Sequence, residues 1–201
     1  MVKQSIVTLD MEGVLTPEIW IAVAEQTGIA DLRRTTRDEP DYGKLMRFRI
    51  GILDQHGITL ARIQSVIGSL APLPGAAAFL NTLREQVQVI IVSDTFEQFA
   101  QPLLRKLGWP TLFCNRLLVE NDRITGYQLR LPDQKRCSVT ALHSLNYQVI
   151  AAGDSFNDTS MLQQADHGIL FRAPENVLRQ FSQFPAVTEY SALLARITAL
   201  L

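Results

Sequence analysis

The sequence predicts an α/β fold in which a doubly wound parallel sheet carries a small helical cap inserted after its first strand. Short apolar runs alternate with helical stretches along most of the chain, an order typical of a parallel sheet covered by helices on both faces. The alternation is interrupted over residues 16–70, where the pattern is helical throughout. Three apolar runs end on polar clusters. These features indicate a Rossmann-like core with polar groups at the carboxyl edge of its sheet.

Four apolar runs are the predicted strands of this core. They are SIVTLD, ending at Asp10, VQVIIVSDT from Val87, YQVIAAGDS from Tyr147 and HGILFRAPE from His167. The predicted core helices cover residues 75–86, 97–107, 135–145 and 158–165. Residues 112–130 fall outside this alternation and are predicted to form a β-hairpin with its turn near Asn121-Asp122.

Residues 16–70 are predicted to form the cap, with helices within 17–28, 41–57 and 59–70. Pro17 is tolerated in a first helical turn, and Gly28 and Gly57 stand where helices commonly end. The predicted domains are therefore a core of residues 1–15 and 71–201 and a helical cap of residues 16–70. APLPGA at 71–76 is the expected connection back into the core.

Composition and charge exclude several classes of protein. The 201 residues are 47% hydrophobic and 19% charged, which is incompatible with an intrinsically disordered chain. A net charge of −1 gives no support to a nucleic-acid partner. No apolar run is long enough to cross a bilayer, and the N-terminal segment lacks a signal-peptide pattern. We expect a cytoplasmic protein that binds small molecules, with no nucleic-acid and no membrane partner.

The cysteines and histidines argue against a disulfide framework and a zinc site. Cys114 and Cys137 lack metal-ligand spacing and are expected to be free, buried thiols in a reducing compartment. The three histidines are scattered, without an H-x-x-x-H pair, so zinc is not expected.

The first strand ends on two acids one residue apart, Asp10 and Glu12, followed by Gly13. Like charges this close repel each other, so a purely structural role explains the pair poorly. A turn at Gly13 would direct both acids into one pocket. Asp10 is then a candidate nucleophile toward phosphorus, because an acyl phosphate divides one difficult displacement into two easier ones. Glu12 is a candidate general acid for the leaving alkoxide and general base for the incoming water.

Two neighbouring carboxylates require a cation, and the sequence offers oxygen ligands for one. The stretch GDSFND supplies Asp154 and Asp158 at the end of another strand. With Asp10 and the backbone carbonyl of Glu12, they would form the hard-oxygen environment that Mg²⁺ prefers. Ser93 and Lys135 are expected to add a hydroxyl and a cation for the oxygens of a transferring phosphoryl group.

These elements, in this order, resemble the four motifs of the haloacid dehalogenase superfamily over nearly the whole chain. DMEGV is similar to the first motif, VSDT to the second, Lys135 in QKR to the third and GDSFND to the fourth. The insertion after the first motif resembles the cap of the phosphoserine phosphatase branch. The resemblance implies a Mg²⁺-dependent phosphoserine phosphatase with a phosphoaspartate intermediate, of the bacterial kind that also transfers phosphate from phosphoserine to homoserine.

The resemblance also implies contacts with the substrate. Glu18 matches a cap acid that meets the substrate ammonium, and Arg49 matches a cap arginine that meets the carboxylate. A guanidinium suits the second role because it pairs with a carboxylate through two parallel hydrogen bonds. The other implied contacts are to phosphate, from Ser93, Asp94 and Lys135, and to substrate, from Ser93 and Asn157.

Two positions depart from the family pattern. Most phosphatases of the superfamily carry Asp where this chain has Glu12, and phosphoserine phosphatases often carry Gly where it has Asp94. Glu is one methylene longer than Asp. Our hypothesis is that Glu12 positions water less well, so that the phosphoenzyme persists and a second alcohol can intercept it.

The sequence leaves three functions open. The favoured one is a phosphatase and phosphotransferase acting on phosphoserine; the second keeps this chemistry for another small phosphate monoester. The third is a binding module without activity, in which Asp10 caps a turn and Asp154 caps a helix. The joint presence of Asp10, Ser93, Lys135, Asp154 and Asp158 argues against the third. The phosphate acceptor and the oligomeric state, a homodimer included, stay open.

Overall fold

In the computed structural model, which describes residues 3–35, 38–39 and 41–201, seven strands form one sheet in the order β4-β3-β2-β1-β5-β6-β7. The strands are β1 (Gln4–Leu9), β2 (Gln88–Phe96), β3 (Thr111–Glu120), β4 (Arg123–Gln128), β5 (Tyr147–Gly153), β6 (His167–Phe171) and β7 (Ala186–Val187). Neighbouring strands are parallel, except that β3 and β4 are antiparallel. The predicted α/β fold class is confirmed.

The helices of the described residues cover both faces of this sheet. They are α1 (Ile19–Thr27), α2 (Tyr42–Gln55), α3 (Leu60–Ser69), α4 (Ala76–Arg84), α5 (Glu97–Lys106), α6 (Gln134–Ser144), α7 (Thr159–Gln164), α8 (Glu175–Gln180) and α9 (Tyr190–Thr198). Short 3₁₀ turns occupy Ala30–Arg33 and Phe156–Asp158. No helix among the residues described is both long and apolar enough to span a membrane.

Alternate residues of the central strands enter two separate apolar cores. Val7 and Leu9 of β1 belong to the larger core, and Ile6 belongs to the smaller one. Along β5, Ile150 faces the larger core and Val149 the smaller. Because successive side chains of a strand point to opposite faces, burial of both faces requires the near-continuous apolar runs from which these strands were predicted.

The order of the strands places the polar strand ends side by side. β1 lies between β2 and β5, with Leu9 in register with Ile91 on one side and Ala152 on the other. Asp10 and Asp154 directly follow β1 and β5, and Ser93 lies near the carboxyl end of β2, so all three come to the same edge of the sheet. Open α/β sheets bind ligands at this kind of position, where the chain order reverses.

The three helices predicted in the insertion are confirmed as α1, α2 and α3, which we call the cap helices. Helix α1 begins at Ile19, two residues after Pro17, and ends at Thr27; the next residue, Gly28, has a left-handed φ of 73°. The cap helices share the larger core with the sheet; Trp20 of α1, for example, packs edge-on against Phe99 of α5, with ring centroids 5.5 Å apart. The division into a cap domain and a core domain stays a prediction.

Several features of the fold were not predicted from the sequence. The hairpin turn at Asn121 and Asp122 is confirmed; that its first strand also extends the main sheet beside β2 was not predicted. Strand β7 and helices α8 and α9 were missed. In α9, Tyr190 stacks on Phe79 at 5.0 Å and donates a hydrogen bond to the Val14 carbonyl at 2.6 Å, so this helix supports the turn after β1.

The two cysteines differ in burial. Both are free thiols, as predicted, and Cys114 is buried. Cys137 is only partly buried, which corrects the expectation of two buried thiols. It lies in the first turn of α6, where its side chain contacts the Pro132 carbonyl at 3.3 Å.

Candidate active site

The carboxyl ends of β1, β2 and β5 meet the cap helices around a cavity of about 260 Å³. Nine of the predicted site residues line it: Asp10, Glu12, Glu18, Arg49, Ser93, Asp94, Lys135, Asp154 and Asn157. Asp158 is fully buried and contacts Lys135 from behind the cavity wall. The structure thus brings together every residue that the sequence predicted for the site.

Lys135 is a buried cation on the core side of this cavity and is only 4% exposed. Its Nζ lies 3.0 Å from Oδ1 of Asp10, 2.6 Å from Oδ1 of Asp158 and 3.9 Å from Oδ2 of Asp94. Burial by itself would lower the pKa of Lys135, but Asp10 and Asp158 outweigh burial and raise it well above the ordinary value. Lys135 is therefore a permanent positive charge at the end of the central strand.

Asp158 holds the loop after β5 in shape. Its Oδ2 accepts hydrogen bonds from the backbone N–H groups of Asp154 and Ser155, each at 2.9 Å, and from the Ser155 hydroxyl at 3.1 Å. Its Oδ1 accepts from Lys135. Because both oxygens already have donors, Asp10 and Asp154 are the more available carboxylates for an added cation.

The acidic residues of the site fit a divalent cation. Asp10, Asp154 and Asp158 can each place one carboxylate oxygen so that all three lie within 4.8 Å of one another. Gly13, at φ +80°, leaves the room this needs, because a Cβ there would lie 2.5 Å from the Asp154 carboxyl group. Carboxylate oxygens are the ligands that Mg²⁺ prefers, so these residues suit the predicted ion.

Burial and the neighbouring negative charges raise the pKa values of these acids. Burial, followed by the neighbouring Asp158, raises the pKa of Asp10 well above its usual range. Burial, with Asp158 and Glu18, raises the pKa of Asp154 to about 7. Lys135 lowers both values without cancelling these effects. The negative charge of the site is therefore not fully compensated by Lys135, and an added cation would stabilise the ionised carboxylates.

Glu12 connects the carboxyl edge of the sheet to the cap helix α1. Its Oε2 accepts a hydrogen bond of 2.9 Å from the backbone N–H of Ile19, the first residue of α1. Burial, with a contribution from Glu18, raises the pKa of Glu12 to about 7. A carboxyl group with such a pKa can give up or take a proton near neutral pH, as a general acid and base must.

Arg49 brings a cation to the cap side of the cavity. It is 6% exposed, and its guanidinium lies over the Trp20 ring, 4.5 Å from the centroid. One terminal nitrogen donates to the Arg34 carbonyl at 2.7 Å, while the buried Nε has no hydrogen-bond partner among the described residues. Burial lowers the pKa of Arg49 to about 10, so the group stays charged at neutral pH. Glu18, which precedes α1, lines the same cavity from an exposed position.

Sequence reasoning missed two residues that hold the end of β2. Gln134 Nε2 donates to the Ser93 carbonyl at 2.8 Å and to Oδ1 of Asp94 at 3.1 Å, and with Lys135 it balances the unusual acid at position 94. Tyr42, the first residue of α2, donates its hydroxyl hydrogen to the Asp94 carbonyl at 3.1 Å. The position of Gln134 next to Lys135 is the one available sequence signal; Tyr42 has none.

A buried carboxylate and lysine at the end of a central parallel strand, beside an acidic cluster, define a hydrolase-type site of an α/β protein. The chain belongs to the haloacid dehalogenase-like hydrolase family, whose model matches residues 5–166. It is 61% identical over 189 residues to a phosphoserine phosphatase of Pseudomonas syringae pv. tomato, covering 94% of this chain and 80% of that protein. It is 60% identical to phosphoserine phosphatase ThrH of Pseudomonas aeruginosa, covering 94% and 92%.

Solved structures agree in fold. A substrate-bound phosphoserine phosphatase complex superposes with a TM-score of 0.77 at 19% identity, covering 94% of this chain and 95% of the other. A phospho-aspartyl intermediate analogue of phosphoserine phosphatase superposes with a TM-score of 0.75 at 20% identity, covering 92% and 93%. The family resemblance drawn from the four motifs is confirmed.

The raised carboxyl pKa values predict that the metal-free protein becomes less stable as pH rises toward 7. The pKa of Glu12 rises from 4.5 to about 7 on folding, and that of Asp154 from 3.8 to about 7. Between these limits the folded state binds more protons than the unfolded state, so increasing pH favours unfolding. We expect the melting temperature in EDTA to fall between pH 5 and pH 8, and excess Mg²⁺ to reduce the fall.

The matched control for this measurement is Asp154→Asn, which should flatten the pH profile in EDTA. The acids with lowered pKa values, such as Asp133 and Asp166, titrate below 3.8 and do not affect this range. A melting temperature that is constant or rises from pH 5 to pH 8 without metal would contradict the prediction.

Proposed function

We propose that this protein is a Mg²⁺-dependent phosphoserine phosphatase that works through a phosphoaspartate at Asp10 and also transfers the phosphoryl group to homoserine. The observation that carries the proposal is one cavity with two chemically distinct sides. Its core side presents Asp10, Ser93 and Lys135, and its cap side presents Arg49 and Glu18. The two Pseudomonas relatives at 60–61% identity are phosphoserine phosphatases, which supports the same substrate.

The two sides of the cavity match the two ends of phosphoserine. Ser93, Lys135 and the backbone N–H of Asp94 are proposed to bind the phosphate oxygens. Arg49 is proposed to pair with the α-carboxylate through a terminal nitrogen and through its Nε, which has no partner among the described residues, and Glu18 is proposed to pair with the ammonium group. Asn157, which also lines the cavity, is proposed to contact the substrate.

In the first half-reaction, the free oxygen of Asp10 attacks phosphorus while Lys135 holds Oδ1. The bond between phosphorus and the serine oxygen breaks, and the carboxyl group of Glu12 gives its proton to the departing alkoxide. Held by Asp10, Asp154 and the Glu12 carbonyl, with Asp158 bracing the loop, Mg²⁺ would offset the phosphate charge that opposes an anionic nucleophile. Serine leaves and Asp10 remains phosphorylated.

In the second half-reaction, Glu12 is a carboxylate and takes a proton from the acceptor. The acceptor oxygen attacks phosphorus, the acyl phosphate bond breaks, and Asp10 is regenerated. Water gives inorganic phosphate and homoserine gives homoserine phosphate. Because Glu12 is tied to the first backbone N–H of α1, the position of its carboxyl group depends on the cap. We propose that this dependence slows the activation of water and gives an alcohol time to react.

The proposed function is tested with purified protein and a panel of small phosphate esters, with Mg²⁺ or with EDTA. Phosphoserine should give the highest kcat/KM, activity should vanish in EDTA, and added homoserine should give homoserine phosphate detectable by ³¹P NMR. A preference for another ester would favour the alternative phosphatase. Full activity in EDTA would contradict the role of the metal, and absence of turnover for every ester would overturn the proposal.

Asp10→Asn should abolish turnover without unfolding the protein, because an amide oxygen is too weak a nucleophile to attack phosphorus. Mass spectrometry of acid-quenched wild-type enzyme should locate a phosphoryl adduct on Asp10. Asp54→Asn is the control, since the Asp54 side chain is 70% exposed and should leave turnover unchanged. An adduct on Ser93 would require a different mechanism.

Arg49→Ala should lower kcat/KM for phosphoserine by about one to two powers of ten, because a charge-assisted contact contributes about 1.5–3 kcal/mol. Hydrolysis of an aryl phosphate, which has no carboxylate, should change little. Glu18→Gln should show the same selectivity through the ammonium group. Arg47→Ala is the matched control, because Arg47 lies on the same helix and is exposed. Equal losses on both substrates would assign Arg49 to cap closure instead of recognition.

A further inference from the structure

The hydroxyl of Tyr42 forms a bond between cap and core that the proposed chemistry does not use. Tyr42 begins helix α2 and donates to the Asp94 carbonyl at the end of β2, at 3.1 Å and 52 residues away in sequence. Its ring packs edge-on against Tyr127 of β4, with centroids 5.9 Å apart. Burial, followed by the nearby Asp94, raises the pKa of Tyr42 well above its ordinary value. The hydroxyl therefore keeps its proton and remains a donor.

The Asp94 carbonyl accepts two side-chain hydrogen bonds, one from the cap and one from the sheet. Besides Tyr42 from the cap, Asn115 of β3 donates its Nδ2 hydrogen at 3.1 Å. A carbonyl oxygen has two lone pairs, so this acceptor is fully used. The Asn115 bond lies within the sheet, whereas the Tyr42 bond exists only while α2 lies against the core.

The peptide group between Asp94 and Thr95 also bonds to the Ser93 side chain through its N–H. The N–H of Thr95, which is joined to the Asp94 carbonyl, donates to Oγ of Ser93 at 3.3 Å. Donors on a carbonyl polarise the peptide and strengthen the bond that its N–H group donates. Because the Ser93 Oγ accepts this hydrogen bond, the hydroxyl hydrogen is free to point in another direction. Ser93 lines the cavity where phosphate is proposed to bind, so this hydrogen can be donated to a phosphate oxygen.

We propose that Tyr42 is a positioning residue that orients the Ser93 hydroxyl toward phosphate through the Asp94–Thr95 peptide. The inference rests on the proposed function, because it takes Ser93 as a phosphate ligand. The proposed role of Tyr42 also links recognition of the substrate carboxylate to binding of its phosphate. Arg49 lies on the same helix, two turns after Tyr42, so the cap position that places Arg49 over the cavity also completes the chain of hydrogen bonds to Ser93.

Tyr42→Phe tests this role because it removes one hydroxyl and keeps the ring. It should lower kcat/KM roughly three- to tenfold, the usual effect of one hydrogen bond. The loss should be the same for phosphoserine and for an aryl phosphate, since both present phosphate to Ser93, and this distinguishes it from Arg49→Ala. Tyr127→Phe is the matched control: it removes the hydroxyl of the neighbouring ring, which does not bond to Asp94, and should change neither substrate. A Tyr42→Phe loss confined to phosphoserine would overturn the inference.

A double-mutant cycle separates orientation of Ser93 from general support of the cap. Affinity for inorganic phosphate is measured with excess Mg²⁺ in the wild type, Tyr42→Phe, Ser93→Ala and the double variant. Tyr42→Phe should weaken phosphate binding about three- to tenfold when Ser93 is present and have little effect when Ser93→Ala is also present. Equal losses in both backgrounds, or no loss in either, would overturn the inference.

Phosphate binding also separates failure of this inference from failure of the proposed function. A wild-type protein that binds phosphate but does not hydrolyse phosphoserine would contradict the proposed function, while the cycle would still decide the role of Tyr42. A wild-type protein that does not bind phosphate in the presence of Mg²⁺ would overturn the assignment of Ser93, and the role of Tyr42 with it.

Discussion

The site depends on one buried cation, Lys135, which lies within 4 Å of three carboxylates at the end of the central strand. Burying charged groups is costly unless they are paired and hydrogen-bonded. Lys135 compensates Asp10, and it fixes Asp158, whose other oxygen holds the loop after β5. Without this lysine, the strand ends would bring together buried negative charges that no other described side chain of the core neutralises at this distance.

Among the described residues, hydrogen bonds from the first residues of two cap helices reach the carboxyl edge of the sheet. Ile19 of α1 donates its backbone N–H to Glu12, and Tyr42 of α2 donates its hydroxyl to Asp94. The first reaches the proposed acid and base, and the second reaches the proposed phosphate-binding turn. In the proposed mechanism, the position of the cap therefore affects the chemistry as well as the choice of substrate, because these bonds reach groups on the core side of the cavity.

A residue just after the β3–β4 hairpin supports the proposed phosphate-binding residues Ser93 and Asp94 through Gln134. The side chain of Arg130, just after β4, donates to Gln134 at 3.2 Å and to Ser138 at 2.7 Å, and its guanidinium lies over the Phe113 ring. Gln134 in turn holds the Ser93 carbonyl and the Asp94 carboxylate. An acid at position 94 is thus accommodated by an amide and a lysine that are neighbours in the sequence.

The sequence by itself determined the class of fold, the cap helices and the residues that meet in the cavity. It could do so because the carboxyl ends of parallel strands share one sheet edge, so polar residues ending different strands must converge. Only the tertiary structure decided the hydrogen bonds from Tyr42, Asn115 and Gln134 to residues 93 and 94, which span 21 to 52 positions of the chain. Tyr42 and Asn115 carry no local pattern, and Gln134 has only its position next to Lys135, since packing alone determines which polar groups become partners. The raised pKa values follow the same rule: they are consequences of burial and of neighbouring charge, which exist only in the folded chain.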